Sequence, residues 1–399
     1  MKNAVYFQSG GPTAVINSSF YGVIKGWYEL KETNKDLGIL YGSLYGVNGL
    51  INNNLVEINK PLEEYNELTK LNGAILGTAR KRINIEEDDE IFQKIINTLL
   101  SHDIKYVLVN GGNDSMDTAW KLNQYFLNHN IDCVVVGIPK TIDNDLVLTD
   151  HCPGFGSNAK FIVRTLLEIF LDINSYEKGR VTIVEIMGRD TGWLCASSIC
   201  CKIFNAAPDL IYVPEAPFKI TSFLSDVKRI YEEKGKVLVC VSEALKDKSG
   251  NYVSINSHLD SFGHVQFGSV SKFLIDLVNS NLNYNTRNIE LSLTQRSASH
   301  LISKLDQKEA IEVGYQALKY AIDNQRGMVA VIRDSNNPYQ SHMELVPLEK
   351  VKNEVKFLPK QYLTKSLNYI DDSFIDYVRP FIDEEEIKIE KPYMFLKKH

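Results

Sequence analysis

Lys140, Thr141, Asp143, Asn144 and Asp145 crowd six residues that follow an apolar run, within the stretch Val135-Val-Gly-Ile-Pro-Lys-Thr-Ile-Asp-Asn-Asp145. Two acids stand two residues apart, and a compact ammonium suited to a phosphate precedes them. Acid, base and phosphate anchor thus share one loop. A second polar group, Gly111-Gly-Asn-Asp-Ser-Met-Asp117, offers two glycines for close backbone approach and Ser115 to cap a following helix. Its acids, Asp114 and Asp117, either hold Mg²⁺ through water and phosphate oxygens or serve the helix dipole. In Gln8-Ser-Gly-Gly-Pro-Thr-Ala-Val-Ile-Asn17 the backbone amides of a glycine turn can meet a phosphate, or the turn is only a tight corner. Gly73 to Arg80 is a small-residue turn ending in an arginine that forks onto a phosphate or pairs with an acid. Arg180 and Arg189 flank an apolar run and need anionic partners, from a phosphorylated ligand or from surface acids.

The elements that must position these groups are short apolar runs. Ala4–Phe7, Tyr106–Val109, Cys133–Val136, the run after Arg180, Leu210–Val213, Val237–Val241 and Met328–Ile332 read as strands covered on both faces, as in a parallel sheet. Helices are expected over Glu86–Leu100, from Ile91, Ile95, Ile96, Leu99 and Leu100, and from the Pro153-Gly-Phe-Gly-Ser-Asn158 turn through Leu171. Alternating strands and helices, with glycine loops at successive strand ends, predict a doubly wound α/β architecture. Ligands of such sheets bind at the carboxyl ends of the strands, where the polar loops lie. Lys246 to Gly263 reads as an excursion from the sheet, and the charged Asp383 to Lys398 segment as a terminal surface element. No repeat of fixed period and no low-complexity segment interrupts the chain.

At 399 residues the chain exceeds a single core, so two subdomains are expected, with 44% hydrophobic residues to fill them. Lys and Arg total 44 against 50 Asp and Glu, a formal charge of −6 that argues against a nucleic-acid binder. The six cysteines form no Cys-x-x-Cys pair, and no apolar run is long enough to cross a membrane, so a cytoplasmic setting without membrane attachment is expected.

Taken together, Gly10-Gly-Pro-Thr13, Gly77-Thr-Ala-Arg80, Gly111-Gly-Asn-Asp-Ser115, Pro139-Lys-Thr-Ile-Asp-Asn-Asp145, Arg180 through Met187-Gly-Arg189, Ser242-Glu243 and Arg287 through Gln295-Arg296 resemble the phosphofructokinase family, in its motif order and over nearly the whole chain. The closest likeness is to its diphosphate-dependent branch. The resemblance implies two doubly wound α/β domains with interleaved chain crossings: residues 1–154 and 295–345 for the phosphoryl donor, 155–294 for the sugar phosphate, and 346–399 as a C-terminal extension.

That resemblance also implies roles. Asp143 is the base for the sugar 1-hydroxyl; Thr141 and Ile142 contact the sugar phosphate; Asp145 positions Mg²⁺ or the transferred group. Members using ATP carry glycine where Asp114 and Lys140 stand, so Asp114 would repel a nucleotide and Lys140 would neutralise a diphosphate. Gly11, Arg80 and Gly112 hold diphosphate oxygens. Met187, Gly188, Arg189, Glu243, Tyr284, Arg287 and Arg296 hold fructose 6-phosphate, with Arg180 and Arg287 reaching over from a neighbouring subunit in a homodimer or homotetramer. Asn113 stands where many members have a metal-binding aspartate, so with Asp145 it is an expected metal ligand, but a weaker and neutral one, which shifts metal holding towards Asp114, Asp145 and the diphosphate; Leu293 replaces a common histidine. The implied reaction is reversible Mg²⁺-dependent phosphoryl transfer from diphosphate to fructose 6-phosphate. An ATP-dependent or broader sugar-phosphate kinase, taking for instance sedoheptulose 7-phosphate, and a non-catalytic regulatory subunit are the other readings.

Overall fold

The computed structural model describes residues 1–79, 81–259 and 265–389. Arg80 and the end of the charged tail therefore lie outside the described residues. Among these, thirteen strands follow in chain order: β1 (Lys2–Gln8), β2 (Leu37–Ser43), β3 (Leu55–Glu57), β4 (Ile104–Gly111), β5 (Val134–Pro139), β6 (Val181–Ile186), β7 (Leu210–Tyr212), β8 (Val237–Ser242), β9 (Ile255–Leu259), β10 (Val265–Phe267), β11 (Thr286–Glu290), β12 (Gly327–Asn336) and β13 (Tyr339–Val346). Contacts divide the chain into two compact units, Met1–Phe155 with Arg296–Lys356, and Gly156–Gln295 with the residues from Phe357. The chain thus crosses three times, and the stretch expected as a C-terminal extension is shared: residues up to Lys356 pack in the first unit, later ones in the second.

The first unit is built on a seven-stranded sheet in the order β13-β12-β5-β4-β1-β2-β3. The five strands from β12 to β2 run parallel, and β13 and β3 close the edges antiparallel. Alternation along each strand feeds two cores. Val5, Phe7, Val107, Val109 and Val135 face one, with Phe92, Ile95, Met116 and Leu122 from the helices Asp89–Ser101 and Asn113–Asn128. Ala4, Tyr6, Tyr106, Leu108, Val134 and Val136 face the other, with Phe20, Val23, Ile24, Val313, Ala317 and Leu318 from the helices Ile16–Thr33 and Lys304–Ile322. Helices on both faces are what a fully buried parallel sheet requires. The latter two helices approach closely through glycine: a Cβ on Gly26 would stand 3.1 Å from the Tyr315 ring and 3.2 Å from Leu318 Cδ2.

In the second unit four parallel strands run in the order β11-β6-β8-β7. Val181, Ile183, Val237, Val239 and Val241 pack with Phe223, Val227, Ile230, Val270, Leu274 and Val278, from the helices Ile220–Lys234 and Val270–Leu282. A separate antiparallel pair joins β9, inside the region read as an excursion from the sheet, to β10, which follows that region. The C-terminal residues insert aromatic rings, with Phe374 and Tyr377 stacked at 5.4 Å and Trp193 5.3 Å from Tyr377.

Three local expectations need correction. The helix after β4 starts at Asn113 with Gly112 as its N-cap and no side-chain cap, so Ser115 is a buried first-turn residue and not a cap. The first acidic helix begins at Asp89, because the Asp88 carboxylate accepts from Asn84 N (2.7 Å) and holds residues 84–88 in a turn. The segment from Asp383 is no surface appendage where it is described. Buried Lys160 pairs with Asp383 and Glu386, both at 2.9 Å, and Ile387 is buried.

Candidate active site

In the first unit, β5, β4 and β1 are neighbours, so the three polar loops at their carboxyl ends converge. Gly10 takes a left-handed backbone (φ +77°), for which glycine has no Cβ penalty. Its carbonyl accepts from Thr78 Oγ1 (2.8 Å), which ties the Gly73–Ala79 turn to the Gly-Gly-Pro turn. Lys140 leaves the end of β5, is only 3% exposed, and donates from Nζ to the Gly11 carbonyl at 2.5 Å. A methyl group on Gly10 would stand 3.6 Å from that ammonium, and one on Gly112 would stand 3.5 Å from the Lys140 carbonyl oxygen. The structure therefore brings Gly11, Gly112, Lys140 and the helix bearing Asp114 into one cluster.

Asp114 lies on the open side of that cluster and accepts from Arg82 Nη2 at 3.2 Å, a pairing the sequence reading missed. Arg296, expected among sugar-phosphate ligands, packs its guanidinium against Gly11, where any Cβ would collide with it. Its position gives the Gly-Gly-Pro turn a second cation.

The loop after β5 is over-determined. Thr141 N donates to Pro153 O (3.2 Å), Asp143 N donates to Thr141 Oγ1 (3.0 Å), and fully buried Asn144, at φ +55°, accepts from Cys152 N on Oδ1 (3.0 Å). Asn144 is one of the residue types that tolerate the left-handed region. It turns the chain so that Asp143 and Asp145 flank a buried amide. Ile142 is buried.

Asn113 does not join the acids. Its Oδ1 accepts from Asn353 N (3.0 Å) and its Nδ2 donates to Glu354 O, so it clasps a returning segment of backbone. Among the described residues no group of three or more His, Cys, Asp or Glu side chains is gathered to hold a metal. Mg²⁺ needs no such cluster, because it binds through one or two carboxylates, several waters and substrate phosphates. Asp145, in the loop after β5, is a carboxylate that could contribute to such a donor set.

In the second unit, Met187, Gly188 and Arg189 follow β6. Their backbone amides are held in turn by Gln295 Oε1 on Met187 N (2.8 Å) and by Glu243 Oε1 on Gly188 N (3.1 Å) and Arg189 N (2.9 Å). Gln295 is itself oriented by donating to Asn158 Oδ1 (3.2 Å). Arg189 takes a positive φ (+48°), a conformation that persists in a side-chain-bearing residue only when its surroundings fix it.

Arg180, Tyr284 and Arg287 do not join that turn within one chain. Arg180 precedes β6, Arg287 pairs in register with Thr182, and Tyr284 precedes β11 and stacks on Tyr231 at 4.1 Å. Arg180 stands at the amino end of β6, whose carboxyl end carries Met187, Tyr284 and Arg287 stand at the amino end of its parallel neighbour β11, and a six-residue strand spans about 20 Å. Arg287 Nη1 meets Asp172 at 3.2 Å instead.

The sequence pattern described as Phosphofructokinase matches residues 3–321. The chain belongs to the phosphofructokinase family. Within that family it is 35% identical over 390 residues to a pyrophosphate--fructose 6-phosphate 1-phosphotransferase of Xanthomonas campestris, covering 96% of this chain and 92% of the relative. It is 31% identical over 366 residues to a sulfofructose kinase of Alkalicoccus urumqiensis, covering 91% and 92%. The fold is that of a pyrophosphate-dependent phosphofructokinase from Nitrosospira multiformis, with a TM-score of 0.85, 30% identity and coverage of 96% and 92%. No helix among the described residues is long and apolar enough to cross a membrane.

Proposed function

We propose that this chain transfers a phosphoryl group from diphosphate to the 1-hydroxyl of fructose 6-phosphate, reversibly, giving fructose 1,6-bisphosphate and phosphate. The observation that carries the reading is Lys140, buried with its ammonium on the Gly11 carbonyl. Phosphoryl transfer depends on positioning and on preorganised charge, since the migrating group carries charge spread over its oxygens. Lys140 supplies such charge beside backbone amides that a glycine turn leaves uncovered, and Arg296 at Gly11 supplies more. Asp114 places a carboxylate beside this pocket, where it repels the additional phosphate of a nucleotide.

Asp143 takes the proton as the sugar hydroxyl attacks, and in reverse returns it to the leaving hydroxyl. Mg²⁺, held by Asp145 and the diphosphate, would neutralise phosphate charge when bound. Thr141 orients the Asp143 backbone through the 3.0 Å hydrogen bond. In the second unit Glu243 shapes the Met187–Arg189 turn that meets the sugar phosphate. The placing of Arg180, Tyr284 and Arg287 at the other end of their sheet supports a homo-oligomer in which these side chains serve a neighbouring subunit. All six cysteines are buried thiols, which fits a reducing cytoplasm.

The test is aldolase-coupled turnover of fructose 6-phosphate by the full chain with Mg²⁺ and either diphosphate or ATP. Activity with diphosphate and little with ATP is expected; turnover with ATP and none with diphosphate refutes the donor. The likeness to a protein named for sulfofructose favours a second reading in which that compound is the acceptor, and comparing the kcat/KM of the two sugars separates the readings.

A further inference from the structure

Residues 351–356 lie beyond the matched family region, which ends at residue 321, and none of the expected site residues falls among them. Val351 and nearby Leu348 are buried, which anchors one end of this strap in the first unit. Its middle grips the start of the donor helix: Asn353 N and Glu354 O engage both ends of the Asn113 amide, and Asn353 Nδ2 donates to Asp117 Oδ1 at 3.3 Å. Its last residue grips the acid loop. Lys356 N donates to Asp145 O (2.8 Å), and Lys356 Nζ donates to Thr149 O (2.9 Å) and Asp150 O (3.0 Å) and lies 3.5 Å from Asn144 Oδ1.

One half-buried ammonium thus gathers two carbonyl oxygens and an amide oxygen from a single stretch, Asn144 to Asp150. Desolvation of that ammonium lowers its pKa, opposed by Cys152, Asp145 and Asp150, while Arg333 on β12 adds to the lowering. A cation kept in such surroundings, where an apolar residue of equal size would avoid the desolvation penalty, points to a need for its geometry.

We propose that Lys356 is a positioning residue for phosphoryl transfer: by holding residues 144–150 it sets Asp143 and Asp145 relative to Asp114, whose helix the same strap holds at Asn113. The inference rests on the phosphotransferase reading. Misplacement of reacting groups by about 1 Å is enough to lower a rate roughly 10²-fold.

The test compares wild type, K356M and K356R as full chains, by diphosphate-dependent turnover and by amide hydrogen exchange. In K356M, kcat is expected to fall about 10–100-fold with KM values changed less than about threefold, and exchange is expected to quicken at residues 141–152 while β1, β4 and β5 stay protected. K356R, which keeps a cation, is expected to recover part of kcat and of the loop protection. Wild-type kcat in K356M, or slower turnover matched by loss of protection across the whole sheet, overturns the proposal. If K356M does not fold, K356Q replaces it under the same two readouts. Wild-type protein inactive with diphosphate would instead overturn the reading of function, because the exchange comparison needs no turnover.

Discussion

Replacing Lys140 by methionine keeps most of the apolar stem of the side chain and removes the ammonium, with its charge and its hydrogen-bond donors. With 3% exposure and a 2.5 Å hydrogen bond to Gly11, the ammonium is held in place before any substrate arrives. At an effective dielectric of about 20, a unit charge 4 Å away interacts with it by roughly 4 kcal/mol. Part of that acts equally on bound diphosphate and on the transition state, and only the difference changes kcat. Loss of a preorganised donor at developing charge typically lowers kcat by about 10²–10³, or 2.7–4 kcal/mol. K140M is therefore expected to lose about 10²–10³ in kcat while its KM for diphosphate rises less than about tenfold. The Gly11 carbonyl, left without this donor, should lower stability by about 1–3 kcal/mol, read as a drop in the urea midpoint. Turnover should be measured both towards fructose 1,6-bisphosphate and from it with phosphate. The equilibrium constant ties the two kcat/KM values together, so the losses must match. An unchanged kcat with a large rise in KM alone would refute transition-state stabilisation by Lys140 and leave it a ground-state anchor.

D143N should retain fructose 6-phosphate binding, measured calorimetrically, and lose about 10²–10⁴ in kcat, the usual share of a general base; near-normal turnover would move the base elsewhere. Stability should fall as pH drops through about 6.5. Burial lowers the His151 pKa, and its neutral ring is fully satisfied, with Nδ1 accepting from Arg333 Nε (3.0 Å) and Nε2 facing Glu309 (2.6 Å). Because the folded pKa is depressed, the unfolded chain binds the proton first, and stability is present above the unfolded value near 6.5 and lost towards the folded one. The slope is at most about 1.4 kcal/mol per pH unit for one proton. H151Q should flatten the decline in urea midpoint between pH 7.5 and 5.5; an identical slope would assign the decline to other groups.

The parallel strands were legible because burial on both faces makes them continuous apolar runs, as in Val134–Val136 and Val237–Val241. β11, reading Thr-Arg-Asn-Ile-Glu, was not, since as an edge strand it keeps several side chains in solvent. β2 was obscured by Gly38 and Gly42, and β13, where half-buried and exposed residues alternate, offered no continuous apolar run. The acid loop and the glycine turns stood out by residue type. The strap did not: Asn113 and Asn353 are separated by 240 residues, and Lys356 and Asn144 by 212, so no local pattern marks the pairing. Asn113 was read against an aspartate and sought as a metal ligand, whereas a carboxylate in its place could accept from Asn353 N but could not donate to Glu354 O.

The order in which strands enter the seven-stranded sheet bears on synthesis. β5 is complete once residue 139 has left the ribosome, yet its neighbour β12 begins at Gly327, and the helix covering Ile16–Thr33 begins at Lys304. Until then a nascent chain carries Val134 and Val136 at an unpaired strand edge, and Phe20, Val23 and Ile24 lack their partner helix. Long-range closure of this kind is slow and leaves apolar surface open to association. Production of a fragment ending near Phe155 should yield aggregate, and slowing translation through residues 156–300 should increase the demand for chaperones.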